Sequence, residues 1–290
     1  MKADTATIRA HMPIIQKGVE ELQKEQSRSL QNEITEWIST TNFPAQQSDI
    51  IDRKQEGTAQ WFLEDPTFKT WLHQSKGTLF CPGIPGAGKT MMAANTIDYL
   101  RTLQNDSVGI ACIFCNYKLQ TEQSANTLLA ALLKQLVQQQ SPMIEPVSAL
   151  YNLHSRNRTK PSLGDICGTL QSVIKRFSTV YIVADALDEC STENTRGLLL
   201  SKLFNIQKEA DIRLLVTSRF IPDIISEFEQ SPRLEVRASD KDVRKFVKGQ
   251  IYNLPMCVQR DKELQTFVEE SIAEAVAGML VIQVFQWILV

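Results

Sequence analysis

The sequence predicts an α/β fold, a mainly parallel five-stranded sheet lying between helices. Two observations carry that prediction. Apolar strand-like runs at residues 78–81, 108–114, 180–184, 213–216 and 234–236 alternate with helical patterns over most of the chain, and strands separated by helices pair in parallel with both faces covered. The first run, Thr78-Leu79-Phe80-Cys81, also leads directly into Gly83-Ile84-Pro85-Gly86-Ala87-Gly88-Lys89-Thr90, which fits G-x-x-x-x-G-K-[ST] and is followed by a helical pattern at Ala93, Ile97 and Leu100.

Strand, glycine-rich loop and helix in that order make a phosphate-binding loop. Glycines suit a backbone that turns with positive φ and approaches the anion closely, and the N-terminus of the next helix adds amide donors and a favourable dipole. The phosphate-binding set is Gly83, Gly86, Ala87, Gly88, Lys89 and Thr90 with the adjoining Met91. Lys89 is expected to reach the β- and γ-phosphates and the Thr90 hydroxyl to ligate Mg²⁺.

Before the loop, residues 5–40 read as mostly helix. Ile8, Met12, Ile15, Val19 and Leu22 form an a/d-like seam that breaks at Gln26 and Ser29 and resumes out of step at Leu30, Ile34 and Trp37. Pro13 marks an expected helix start. Docking of this helix onto its own domain is expected, with self-association as the alternative. Around Pro44 the pattern lapses, and residues 42–47 are expected to be a linker. A short helix opened by Pro66 carries Phe68, Trp71 and Leu72. Gly57 and Thr58, in the lead-in to the first strand, are candidates for the wall of a base pocket; the alternative is a packed helix start with Trp61 in the core. Beyond the loop, helical patterns fall at residues 126–138, 144–153, 163–177 and 194–208.

The run Thr179-Val180-Tyr181-Ile182-Val183-Ala184-Asp185 ends in an acid at the carboxyl edge of the sheet, where the phosphate loop also sits. Asp185 is therefore expected to hold Mg²⁺ through water. Asp188 and Glu189 follow, and either is a candidate to orient or deprotonate an attacking water. A solvated acidic helix start would look similar in isolation. A third strand ends in Thr217-Ser218-Arg219, where Arg219 is a candidate sensor of the γ-phosphate.

The chain is 43% apolar and 22% charged, with a net charge of −2, which is ordinary for a globular protein and gives no electrostatic reason to expect nucleic-acid binding. Six scattered cysteines and an N-terminus without a signal-peptide pattern point to a reducing, cytoplasmic setting. Cys112 and Cys115 form a C-x-x-C, but three residues apart on a strand they face opposite ways, so core packing rather than zinc is expected.

Three stretches, Leu79 to Thr90, Ala184-Asp185-Ala186-Leu187-Asp188-Glu189-Cys190 and Val216-Thr217-Ser218-Arg219, resemble the P-loop NTPases of NACHT type found in fungi. These are similar to the N-terminal NTPase region of nephrocystin-3-like proteins, often carried in ankyrin- or WD-repeat chains. The resemblance extends from about Glu33 to Asp242-Val243. It implies a signal-transduction NTPase of the STAND class with a Mg²⁺-site acid at Asp185, a small residue at Ala186, an acidic pair at Asp188 and Glu189, and a sensor arginine at Arg219. It divides the chain into a helical segment (residues 1–45), a lead-in (46–76), the NTPase core (77–237) and the start of a helical C-terminal lid (238–290) that looks truncated.

The expected function is a switch that binds and slowly hydrolyses a nucleoside triphosphate with Mg²⁺. ATP is favoured, with GTP possible, because no N-K-x-D guanine-reading sequence is present. The alternatives are a non-switching nucleotide-binding fragment or decoy, and a P-loop phosphotransferase. Residues 278–290 carry no charged side chain, yet they are too few for a membrane span of about 20 residues. They are expected to drive aggregation or pairing, so that a chain ending near Ala277 is the more soluble.

Overall fold

The computed structural model describes residues 2–55, 57–140, 145–190 and 193–276. Strands β1 (Thr78–Pro82), β2 (Val108–Phe114), β3 (Thr179–Asp185) and β4 (Ile212–Ser218) form one parallel sheet in the order β1-β4-β3-β2. Leu79, Phe80, Ile113, Ile182, Val183 and Leu215 are buried, as strands covered on both faces require. Ahead of the sheet lie α1 (Lys2–Ile38), α2 (Phe43–Ile51), α3 (Gln60–Glu64) and α4 (Pro66–His73). Helix α5 (Lys89–Thr102) follows β1. Helices α6 (Ala125–Gln138), α7 (Glu145–Asn157) and α8 (Leu163–Ile174) join β2 to β3, and α9 (Glu193–Glu209) joins β3 to β4. The chain then runs through α10 (Pro222–Glu227), α11 (Asp240–Gln250), α12 (Met256–Arg260) and α13 (Lys262–Val276).

The sheet has four strands, not the five expected, because residues 234–236 do not form one. They do run beside β1: Phe80 donates to the Pro232 carbonyl, Leu234 donates back to Phe80, and Val236 donates to the Pro82 carbonyl at 2.7 Å. Only Phe80 and Arg233 make a complete bridge. Pro82 has no amide hydrogen to return the next bond, so the ladder stops after one rung.

At the opposite edge, three glutamine side chains stand where a neighbouring strand would be. Gln139 accepts from the Ile110 amide (2.9 Å) and donates to its carbonyl (2.6 Å). Gln135 does the same for Cys112, at 2.9 and 2.8 Å. Gln123 accepts from the Asn116 amide and donates to the Phe114 carbonyl. A primary amide presents the same donor and acceptor as a peptide group. Residues four apart on a helix rise about 6 Å, close to the roughly 6.6 Å between alternate strand residues, so Gln135 on α6 and Gln139 at its C-cap meet alternate residues of β2.

The N-terminal region departs from expectation in three ways. Helix α1 runs unbroken through Pro13, and its 37 residues begin before it; a proline removes one hydrogen bond and need not end a helix held by turns on both sides. Val19, Leu22 and Leu30 are exposed, so this part of the seam is not docked on the described domain, whereas Ile34 and Ile38 enter the core. Gln31 anchors this last stretch by donating to the Val137 and Gln140 carbonyls. The expected linker is helix α2 instead, since Asn42 caps it by accepting from the Ala45 amide and Pro44 fits the first turn. A single buried cluster extends from Ile34 to Val236, and a second, small one joins Val243, Val247, Leu254, Val258 and Ile272. The apolar run expected to cause pairing lies outside the described residues. Among those described, no helix is long and apolar enough to cross a membrane.

Candidate phosphate-binding site

The glycine-rich loop connects β1 to α5 at the carboxyl edge of the sheet. Gly86 and Gly88 have φ of 76° and 87°, the left-handed region that favours glycine, and Gly88 caps α5. Gly83 is needed for a different reason: a Cβ there would lie 2.5 Å from the Val236 carbonyl oxygen, against the segment that flanks β1. Ala87 is buried, Thr90 exposed and Met91 half-buried. The first intrahelical bond of α5 runs from Met92 to Gly88 at 2.9 Å, and helix geometry leaves the amides before it free for an anion. The Lys89 ammonium folds onto the loop, donating to the Gly83 and Ile84 carbonyls at 2.9 Å each. Burial pulls its pKa down, opposed by Asp188, Asp185 and Glu189, while Arg219 adds to the depression.

Strand β4 lies between β1 and β3 and so delivers its polar end between the loop and Asp185. Asp185 is buried and accepts from Thr217 Oγ1 at 2.6 Å; the Thr90 hydroxyl also reaches its carboxylate. Burial pushes its pKa up, against the pull of those two hydroxyls and Lys89. Thr217 Oγ1 in turn accepts from the Ala186 amide at 2.9 Å, which fixes Ala186 in a left-handed conformation with φ of 54°. Such backbone costs a residue with a Cβ about 1 kcal/mol and persists where the surroundings impose it. Thr217 is the residue that sequence reasoning passed over. The signal for it was its place one position beyond Val216, which pairs with Ala184, directly beside Asp185.

After Ala186, the turn Leu187–Glu189 presents the two acids differently. Asp188 is bound at both oxygens by Arg219, from its amide at 3.0 Å and from Nε at 2.5 Å. The Asp188 side chain is 2% exposed and that of Arg219 48%. Hydrogen bonding and charge from Asp188 raise the Arg219 pKa. Glu189 is half-buried and accepts from the Tyr117 amide at 3.3 Å.

Gly57 and Thr58 have other partners. Thr58 is buried and donates to the Gln55 carbonyl at 2.7 Å, and the Gly57 carbonyl accepts from Lys245. Trp61 is half-buried, edge-on to Phe62. The C-x-x-C cysteines do diverge: Cys112 meets Gln135, and burial pushes its thiol up to about 12, whereas Cys115 shares a thiol hydrogen bond with Cys190, both being free cysteines.

The oxygen donors Thr90 and Asp185 suit Mg²⁺, which takes carboxylate, hydroxyl, phosphate and water oxygens and needs no protein cage. Among the described residues no group of three or more His, Cys, Asp or Glu side chains offers a different metal centre.

A parallel sheet with a glycine-rich phosphate loop after β1 and an acid ending β3 defines a NACHT-like P-loop NTPase region. The family model described as Nephrocystin 3, N-terminal matches residues 57–219, more than half of the chain, and the chain belongs to that family. It is 27% identical over 201 residues to the vegetative incompatibility protein HET-E-1 of Podospora anserina, an alignment covering 67% of this chain and 15% of that protein. Among solved structures, the Aeropyrum pernix ORC1 protein in complex with DNA is similar at a TM-score of 0.50 and 16% identity, covering 80% of this chain and 58% of that one. A Walker-type ATPase of Pyrococcus abyssi gives a TM-score of 0.47 at 14% identity, over 74% of this chain and 62% of that one.

Proposed function

We propose that this chain is the nucleotide-binding part of a cytoplasmic signal-transduction switch that binds ATP, with GTP as the lesser ligand, together with Mg²⁺, and hydrolyses it slowly. The carrying observation is that Lys89, Thr90, Asp185, Asp188, Glu189 and Arg219 interact around one edge of the sheet. In this reading residues 77–237 are the NTPase core, residues 1–45 and 46–76 its helical segment and lead-in, and residues 238–290 the beginning of a lid. The chain spans 15% of the length of HET-E-1, so a sensing region and self-association belong to the proposal.

Mg²⁺, when bound, would neutralise developing charge on the phosphates. Lys89 would exchange its two carbonyl acceptors for phosphate oxygens, and Thr90 and Asp185 would hold the ion. Of the acidic pair, Glu189 is the better base, because both Asp188 oxygens are engaged by Arg219. The ORC1 structure contains DNA; a net charge of −2 here favours no such partner. The test is titration of the full chain with ATP, ADP and GTP at fixed Mg²⁺, with multiple-turnover hydrolysis measured alongside. Tight binding with turnover far below that of metabolic kinases is expected. Absence of nucleotide binding ends the reading, and fast transfer to a small acceptor favours the phosphotransferase.

A further inference from the structure

Strand β4 pairs with β1 on one side and β3 on the other, and its residue Thr217 stands between the two. It is paired with Cys81 of β1 and lies one step beyond the Val216–Ala184 pair, level with Asp185 of β3. Thr217 is fully buried, and its hydroxyl donates and accepts at once: the proton goes to Asp185 Oδ1 at 2.6 Å, and Oγ1 accepts from the Ala186 amide at 2.9 Å. A hydroxyl has one proton to give. With an amide N–H directed at its oxygen, that proton is left to point at the carboxylate, so a backbone group sets the direction of the bond. The same carboxylate meets the Thr90 hydroxyl and the charge of Lys89 from the phosphate loop. Asp185 is thus held by β4 as well as by the loop. The terminal torsion of an aspartate is otherwise broad, whereas Mg²⁺ demands near-ideal octahedral geometry. A carboxylate with one oxygen tied offers the other in one direction.

We propose that Thr217 is a positioning residue of the metal site: its hydroxyl orients the Asp185 carboxylate toward Mg²⁺ and, by holding the Ala186 amide, keeps the left-handed residue that leads into Asp188 and Glu189. This rests on the nucleotide-binding reading above. Thr217 acts through Asp185 and not on the phosphates, so its loss removes what Mg²⁺ adds to nucleotide affinity rather than the grip of the glycine-rich loop.

The experiment measures the ATP affinity of the full chain with Mg²⁺ and with EDTA, and reads the ratio of the two for wild type, Thr217→Val and Thr217→Ser. Valine keeps the shape and removes the hydroxyl, whereas serine keeps the hydroxyl. Thr217→Val should lower the ratio by about tenfold, the worth of one hydrogen bond to a charged group, and Thr217→Ser should stay within about twofold of wild type. If Thr217→Val does not fold, Thr217→Cys takes its place, its thiol being only a weak donor, and the ratio should fall in the same direction. An unchanged ratio in the variant that lacks the hydroxyl, whether or not overall affinity drops, reduces Thr217 to a structural role and overturns the proposal. A serine variant that loses as much as valine does the same. Wild type that binds ATP equally with and without Mg²⁺ overturns it while leaving the phosphate loop intact. Wild type that binds ATP under neither condition removes the underlying reading as well.

Discussion

Asp188 and Arg219 clasp each other across the ends of β3 and β4, with both carboxylate oxygens of a side chain only 2% exposed engaged by one arginine. An arginine held this way must leave its carboxylate, or share it, before it can contact a γ-phosphate. Asp188→Asn should therefore raise the ratio of tri- to diphosphate affinity, and Arg219→Ala should lower it, each by roughly tenfold, since hydrogen bonds to charged groups are worth about 1.5–3 kcal/mol. Calorimetric titration with ATP and ADP provides the ratio; if neither variant moves it, the pair is a tie between two loops and nothing more.

Lys89→Ala should weaken ATP by about 100-fold or more, because a charge-assisted contact to each of two phosphates is lost. Its fold should survive, as the ammonium touches only the Gly83 and Ile84 carbonyls. Binding and melting temperature measured on the same sample separate the two effects, and full affinity in the variant rules out the phosphate-loop assignment.

Gln135→Leu should destabilise the chain by about 2–4 kcal/mol, since it strands the buried amide and carbonyl of Cys112. A comparable loss is not expected from exposed glutamines such as Gln16. Urea unfolding followed by circular dichroism is the readout.

Gly83→Ala should cost about 1–3 kcal/mol even without ligand, because the added methyl meets the Val236 backbone rather than a side chain that can swing aside. A variant as stable as wild type would mean that residues 232–236 yield easily and do not brace the loop.

Asp211 gives a pH dependence. Burial alone would raise its pKa, but hydrogen bonds from the Lys76 amide, Arg213, Ser75 and Thr179 together hold it below the ordinary 3.8. A carboxyl depressed on folding stabilises the native state above the unfolded pKa, and that stability is lost as pH falls through the folded value. Asp211→Asn should thus be less stable at pH 7 and lose less on acidification below about pH 4. Parallel acid-unfolding curves for the two proteins would show that Asp211 contributes nothing to acid sensitivity.

The strands that carry the site were legible because each is an uninterrupted apolar run ending in chemistry: glycines after β1, Asp185 at β3, Arg219 after β4. Elements decided by one backbone group were not. Whether residues 234–236 make a strand turns on a missing hydrogen at Pro82, and whether residues 42–47 are a linker turns on the Asn42 cap. Periodicity does not report such single donors. Nor does it reveal contacts between distant residues, such as Gln135 with Cys112, Thr217 with Asp185, or Lys245 with Gly57. The exposed Val19 and Leu22 show the converse, a periodic pattern that the described domain does not cover at those positions.

The glutamines along β2 also limit how copies of this protein can meet. An open strand edge is a template on which another chain can lay down backbone, and such growth has no natural end. Here the rim residues Ile110 and Cys112 have both backbone groups already taken by side-chain amides from α6 and its C-cap. Sheet extension from that rim would first have to break four hydrogen bonds. Copies that meet at that rim must therefore recognise one another by side chains, in contacts that can be counted, saturated and undone.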